Sequence, residues 1–161
     1  MGLDMSLNGR RFIASWGGDA ERALSQDIRS NMHDAGITLP ESADIQNIEV
    51  EFISWRKANA IHKWFVTNVQ DGADDCDDYV VEWDQLAELK DLCDKVIADP
   101  ELATELLPTG SGFFFGVTDY DADYIGDLKY TSERISELLA WYASEKLSNT
   151  EWRWSLYYTS S

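Results

Sequence analysis

Apolar and polar positions along the chain change period several times, and each change marks an element. Leu3, Met5 and Leu7 alternate with polar neighbours, the spacing of a half-buried strand. Gly17-Gly18 separates this strand from a polar helix predicted over Asp19 to Asp34. In that helix Leu24, Ile28 and Met32 recur every four residues, and Gly36 follows as its stop. Beyond a loop that begins at Leu39-Pro40, Ile48, Val50 and Phe52 alternate with Glu49, Glu51 and Ile53. A second strand is predicted there, with one buried face and one partly wet.

From Trp55 to Phe65 the period becomes helical. At about 100° per residue, Ala58, Ile61, Phe65 and Val69 form an apolar stripe with Trp55 and His62 on its edge. Asn59 comes next, and Arg56 and Lys63 lie toward the opposite side. Ser54 is placed to cap this helix, and Asp71-Gly72 ends it. An acidic loop, Asp74-Asp75-Cys76-Asp77-Asp78, then leads to a strand at Tyr79 to Glu82. Asp84 is placed to cap a helix whose core face is Leu86, Leu89, Cys93 and Val96.

Asp99-Pro100 restarts the helix, with Asp as cap and Pro at the first helical position, until Pro108 ends it. Phe113-Phe114-Phe115-Gly116-Val117 reads as a buried strand or a tight turn packed with rings. A last long helix is predicted from about Thr131 to Leu147, presenting Ile135, Leu138, Leu139, Tyr142 and the stem of Lys146. Trp152, Trp154, Leu156 and Tyr158 then share one face of a terminal strand. The pattern predicts a single α+β domain over residues 1–161, a mostly antiparallel sheet covered by three to four helices.

Composition supports a proper core: 161 residues, 44% hydrophobic and 12% aromatic. Charge narrows the partners. Thirteen basic against 30 acidic residues give a formal net charge of −17. Such a surface repels nucleic-acid phosphates and anionic membranes, so neither direct nucleic-acid binding nor membrane association is expected. It attracts basic partners. High charge also serves plain solubility, and imitation of a nucleic acid is the sharper reading.

Cys76 and Cys93 are too few for a disulfide scaffold or a four-cysteine zinc site, and reduced thiols in a cytoplasm account for them. Met1 to Arg10 holds no apolar signal core, and no window approaches a membrane span. Met1-Gly2 with Ser6 fits the crude myristoylation pattern, but the alternation of Leu3, Met5 and Leu7 favours a strand.

Enzyme signatures fail one by one. Gly110-Ser111-Gly112-Phe113-Phe114-Phe115-Gly116 has one residue too many for a dinucleotide loop and follows a proline-ended helix. Asp119-Tyr120-Asp121-Ala122-Asp123 starts like a calcium loop but has Tyr124 at the sixth position and Tyr130 at the twelfth, so a solvated turn is expected. Cys76 lies among aspartates that weaken a thiol nucleophile, and Cys93 falls on a core face. A histidine at His62's place on a helix is more often a hydrogen-bonded core residue than a catalyst. No catalytic residue, cofactor or metal is assigned.

The Trp55–Phe65 stretch nevertheless holds the parts of a nucleotide pocket. Arginine offers a planar fork for phosphate, Asn59 a donor and an acceptor for a base edge, and aromatic faces a stacking platform. The candidate ligand-binding residues are therefore Trp55, Arg56, Asn59, His62, Lys63, Phe113 and Phe115. The competing account is a structural network, with ion pairs to Glu49 or Glu51.

The start Met1-Gly2-Leu3-Asp4-Met5, the string from Trp55 to Val66, the Asp71-Gly72 to Cys76 loop, Leu107-Pro108-Thr109 and Ser111-Gly112-Phe113-Phe114-Phe115-Gly116 resemble a family of small phage and prophage proteins. The likeness covers most of the chain from Trp55 to about Tyr130 and the first few residues. It implies a setting in place of a reaction: a cytoplasmic accessory protein of the infected bacterium, of the kind that counters host defences.

The leading expectation is thus non-catalytic sequestration of a small nucleotide-like anionic ligand. The runner-up is an acidic inhibitor that mimics nucleic acid and occupies the binding surface of a basic host protein. An enzyme acting on a nucleotide through His62 and nearby carboxylates comes third. The sequence leaves room for a homo-oligomer.

Overall fold

A computed structural model describes residues 2–111, 119–148 and 154–161, with the helical backbone alone at 147 and 148. Among these residues four strands, β1 (Asp4–Phe12), β2 (Asn47–Arg56), β3 (Tyr79–Val81) and β4 (Trp154–Ser160), make one antiparallel sheet in the order β2-β1-β4-β3. Helices α1 (Asp19–Asp34), α2 (Asn59–Asn68), α3 (Trp83–Ala98), α4 (Ala103–Leu106) and α5 (Ala122–Ser148) connect and cover it, with a 3-10 turn at Pro100–Leu102. The class is α+β, as the alternation of periods predicts.

Directly opposed residues of antiparallel strands share a face. Met5 faces Trp55, Leu7 faces Ile53 and Tyr158, and Val81 faces Leu156, so these side chains form one apolar surface. Against it pack Ile61 and Phe65 of α2, Leu86, Leu89, Cys93 and Val96 of α3, and Leu128, Ile135 and Leu138 of α5, all in one core. The other face carries Ser6, Asn8, Arg10, Ser155, Tyr157 and Thr159. There the Arg10 guanidinium lies 4.2 Å from the Tyr157 ring centre and pairs with Glu49 and Asp78.

A bulge resets the phase of β2. Leu7 pairs with Ile53 but Asn8 pairs with Glu51, leaving Phe52 as the extra residue. Ile48 and Val50 therefore stay in phase with Ile53 and Trp55, which a continuous alternation would have put on the opposite face. The Phe52 ring lies over Gly9, where a Cβ would come within 2.1 Å of it. Trp141 and Trp154 hold that ring at centroid distances of 5.3 and 5.9 Å. Two side chains of α5 reach the backbone of β2, which is an edge strand: Tyr130 Oη donates to the Ser54 carbonyl at 2.9 Å, and Arg134 Nη2 to the Phe52 carbonyl at 3.0 Å.

Helix α1 ends as its sequence predicts. Gly36 takes φ +86° and the Ile37 N–H bonds to the Met32 carbonyl at 2.8 Å, the hydrogen bond that closes a left-handed helix end. Its side-chain packing is light: Leu24, Ile28 and Met32 are only half-buried, and Glu21 is its one buried residue. Glu21 anchors it, taking two bonds from Arg11 at 2.9 and 2.7 Å and the Ala14 N–H at 3.2 Å.

Three element ends differ from expectation. Helix α3 begins at Trp83 with Glu82 as its cap, because Glu82 and Gln85 exchange side-chain-to-backbone bonds in a capping box; Asp84 lies inside the first turn. The long helix α5 begins at Ala122, nine residues before Thr131, because Asp121 Oδ1 accepts the Tyr124 N–H and Tyr124 and Leu128 enter the core. Strand β2 runs on to Arg56, as described below. The ring-rich Phe113–Val117 segment and Trp152 lie outside the described residues. Among the described residues, no helix is long and apolar enough to cross a membrane.

Candidate functional site

The pairing of β2 with β1 continues to Asp4 and Arg56, so Trp55 and Arg56 are strand residues and Ser54 caps nothing. Long-range pairing overrides the local helical period here. The chain then turns sharply. Lys57 adopts φ +58°, donates its N–H to the Leu3 carbonyl at 2.7 Å, and α2 starts two residues later. A left-handed lysine costs about 1–2 kcal/mol, supplied by the pairing on one side and the core contacts of α2 on the other. The N-cap of α2 is Ala58, and no side chain caps that end.

The predicted ligand residues divide into three groups. Trp55 and His62 belong to the core. The Trp55 Nε1–H donates to Thr131 Oγ1 at 2.8 Å, and its ring meets Phe65 edge-on at 5.8 Å. His62 is fully buried, with Nε2 2.9 Å from Asp74 Oδ1 and Nδ1 2.7 Å from the Tyr158 hydroxyl. A neutral imidazole that donates to Asp74 and accepts from Tyr158 fits both contacts. Burial, with the nearby Asp74 charge, pushes the Tyr158 phenol up, so it stays protonated.

Asn59 and Lys63, one turn apart on α2, hold the segment after α4. Asn59 is buried and its Oδ1 accepts the Gly110 N–H at 2.6 Å; Lys63 Nζ donates to the Thr109 carbonyl at 3.3 Å. Tyr120 and Tyr124 complete the clamp. The Tyr120 hydroxyl accepts from the Thr109 N–H at 3.1 Å, and the Tyr124 hydroxyl donates to the Leu107 carbonyl at 2.8 Å. Bonds from Thr109 and the charge of Lys63 lower the Tyr120 phenol, while burial raises that of Tyr124.

Arg56 is exposed, 3.7 Å from Asp4, and pairs with neither Glu49 nor Glu51. Phe113 and Phe115 lie outside the described residues.

Arg56 and Asn59 both line one wall of a groove of about 480 Å³. Lys57 and the first turn of α2, Ala58 to Ile61, share that wall. The opposite wall is the start of α5, with Tyr124, Asp121, Asp123 and Asp127, while Thr109 and Asp119 also line the groove. Asp127 is half-buried, and among the described residues no donor meets its carboxylate. Burial pushes its carboxyl up to about 6, and Asp123 and Asp121 push the same way. The groove is thus cationic on one side and anionic on the other. Its volume is in the range of small-molecule sites.

Sequence reading missed Lys57 and the α5 carboxylates as groove residues. The signal was present in Asp121, Asp123 and Asp127, but a run of aspartates before a predicted helix reads as a solvated turn. Burial, helped by Asp94, pushes the Cys93 thiol up to about 12, so it is an inert core thiol. No group of three or more histidine, cysteine or acidic residues among the described residues has the geometry to hold a metal ion. Comparisons with family models, with curated proteins and with solved structures give no match for this chain.

Proposed function

We propose that the chain is a non-catalytic binding protein whose groove between α2 and α5 takes a small nucleotide-like anionic ligand. The observation that carries this reading is the meeting of Arg56, Lys57 and the start of α2, with no side chain capping it, on a single wall. A helix start offers outward N–H groups and the positive end of its dipole, and two cations beside it suit a phosphate. In the phage setting that the resemblance implies, holding such a ligand would withdraw a nucleotide signal from a host defence. Titration calorimetry against a panel of nucleotides tests it: at least one should bind in one-to-one ratio, and Arg56→Ala should weaken that binding.

A second reading rests on how the charge is spread. Between Asp71 and Asp127 the chain has 17 acidic and two basic residues, a formal −15 of the total −17. Such concentration favours an acidic surface that imitates nucleic acid and occupies a basic host protein. Its binding would weaken steeply with salt, since exposed charge pairs are screened, whereas stacking and directed hydrogen bonds weaken less. Capture of one host protein from infected-cell lysate at low but not moderate salt, with every nucleotide inactive, would put this reading first.

A further inference from the structure

Four carboxylates line a groove proposed to take an anion, and that conflict restricts the ligand. Asp119, Asp121, Asp123 and Asp127 repel any ligand that is anionic throughout. A ligand that enters must turn its anionic group to Arg56 and Lys57 and present something else to α5. The Asp127 carboxylate requires donors: it is half-buried, faces two further carboxylates and is met by no donor among the described residues.

We infer, on the groove reading above, that the site selects a nucleotide with a guanine base, whose two adjacent N–H donors meet the Asp127 carboxylate while its phosphate lies at Arg56, Lys57 and the start of α2. A carboxylate has two acceptor oxygens side by side and binds best to two parallel donors, as it does with arginine. Among the common bases only guanine offers that pair, from N1–H and its 2-amino group. Adenine and cytosine each present one amino group beside a ring nitrogen lone pair, which faces the carboxylate repulsively. Uracil presents one N–H between two carbonyls. The rings of Tyr124 and Tyr120, 5.1 Å apart edge to face, stand at the same end of α5. The ionised Asp127 state that the donors favour is the one that burial, Asp123 and Asp121 oppose, so the base supplies donors that offset that opposition.

Calorimetry with the monophosphates of guanosine, inosine, adenosine, cytidine and uridine, on the wild type and on Asp127→Asn, tests this. The expected result is guanosine monophosphate binding at least about tenfold tighter than the adenosine, cytidine and uridine compounds. Inosine monophosphate, which lacks the 2-amino group, should fall between. Asp127→Asn should reduce the guanine advantage to about threefold or less, because an amide supplies one acceptor where the carboxylate has two. Asp123→Asn serves as a second variant should Asp127→Asn fail to fold; it removes a charge that opposes the ionised Asp127, so it should move the guanine preference the other way, strengthening it. Equal affinities for all five, or a guanine preference unmoved in the folded variants, would overturn this inference and leave the groove reading standing. No binding by any of them would overturn both.

Discussion

Phe65 and Tyr158 stack face to face, with ring centroids 3.9 Å apart and planes 7° from parallel. That contact joins the middle of α2 to the β4 strand and stands at the centre of a cluster that includes Trp55, Trp64 and His62. Phe65→Ala should cost about 3–5 kcal/mol, for lost burial plus an unfilled cavity. Tyr158→Phe keeps the stack but removes the hydroxyl that meets His62 Nδ1, and should cost about 1–3 kcal/mol. Urea denaturation of both variants checks this; a loss below about 1 kcal/mol for Phe65→Ala would show that α2 is not central to the fold.

Gly9→Ala addresses the bulge. A Cβ there would fall within 2.1 Å of the Phe52 ring, which Trp141 and Trp154 confine. The ring must shift, and the overpacking should cost about 1–3 kcal/mol. Thermal melting and near-ultraviolet circular dichroism of the tryptophans should both report it. An unchanged aromatic spectrum would mean that the ring is free to move.

Glu21→Ala should release α1. The side chain takes two bonds from Arg11 and one from the Ala14 N–H, while the apolar stripe of the helix is only half-buried. Hydrogen exchange should then show the amides of Asp19–Asp34 losing protection while those of α5 and β1 keep theirs. The loss of a partner to a largely buried arginine should cost about 2–3 kcal/mol.

Asp127→Asn should stabilise the protein at neutral pH. The native carboxyl is held at about 6 against an unfolded value of 3.8. Between those values the native state binds more protons than the unfolded chain, so stability falls as pH rises through the window, and the cost is complete above it. The asparagine variant escapes that cost. It should gain about 1 kcal/mol at about pH 7.5, after allowance for a half-exposed group, and nothing below about pH 3.5. Urea denaturation at the two pH values gives the difference.

Arg56→Ala separates binding from folding. The side chain is exposed and its nearest ion-pair partner, Asp4, lies at 3.7 Å, so the variant should melt within about 0.5 kcal/mol of wild type. Its affinity for a nucleotide should fall about tenfold or more, the loss of a charge-assisted contact. A folded Arg56→Ala protein that binds as tightly as wild type would remove this residue from the site.

Local patterns carried the fold further than they carried the site. Gly17-Gly18 and Gly36, with Leu24, Ile28 and Met32 between them, were enough for both ends of α1, because local glycines bound it and its C-terminus is closed by its own backbone. The Trp55–Phe65 stretch misled for the opposite reason. Its helical spacing begins at Trp55, but pairing with Met5 and Asp4, some fifty residues away, keeps Trp55 and Arg56 in the strand. Nothing local marks Lys57 as left-handed. His62 was read both as a hydrogen-bonded core histidine and as a ligand residue; it is the former, and its partners Asp74 and Tyr158 come from a loop and from the far strand. Asn59 and Lys63 were legible as a polar ridge, and that ridge is engaged with the 107–110 segment, which only the tertiary arrangement brings near.

The two bonds from α5 to the rim of β2 bear on how this protein behaves at high concentration. A ten-residue outer strand with open carbonyls is a template on which another copy can grow by backbone pairing. Tyr130 and Arg134 occupy the Ser54 and Phe52 acceptors, and Glu49 and Glu51 put charge along the same strand. A chain made in quantity thus carries its own guard against fibre formation, and that guard is built from the helix that also forms one wall of the groove.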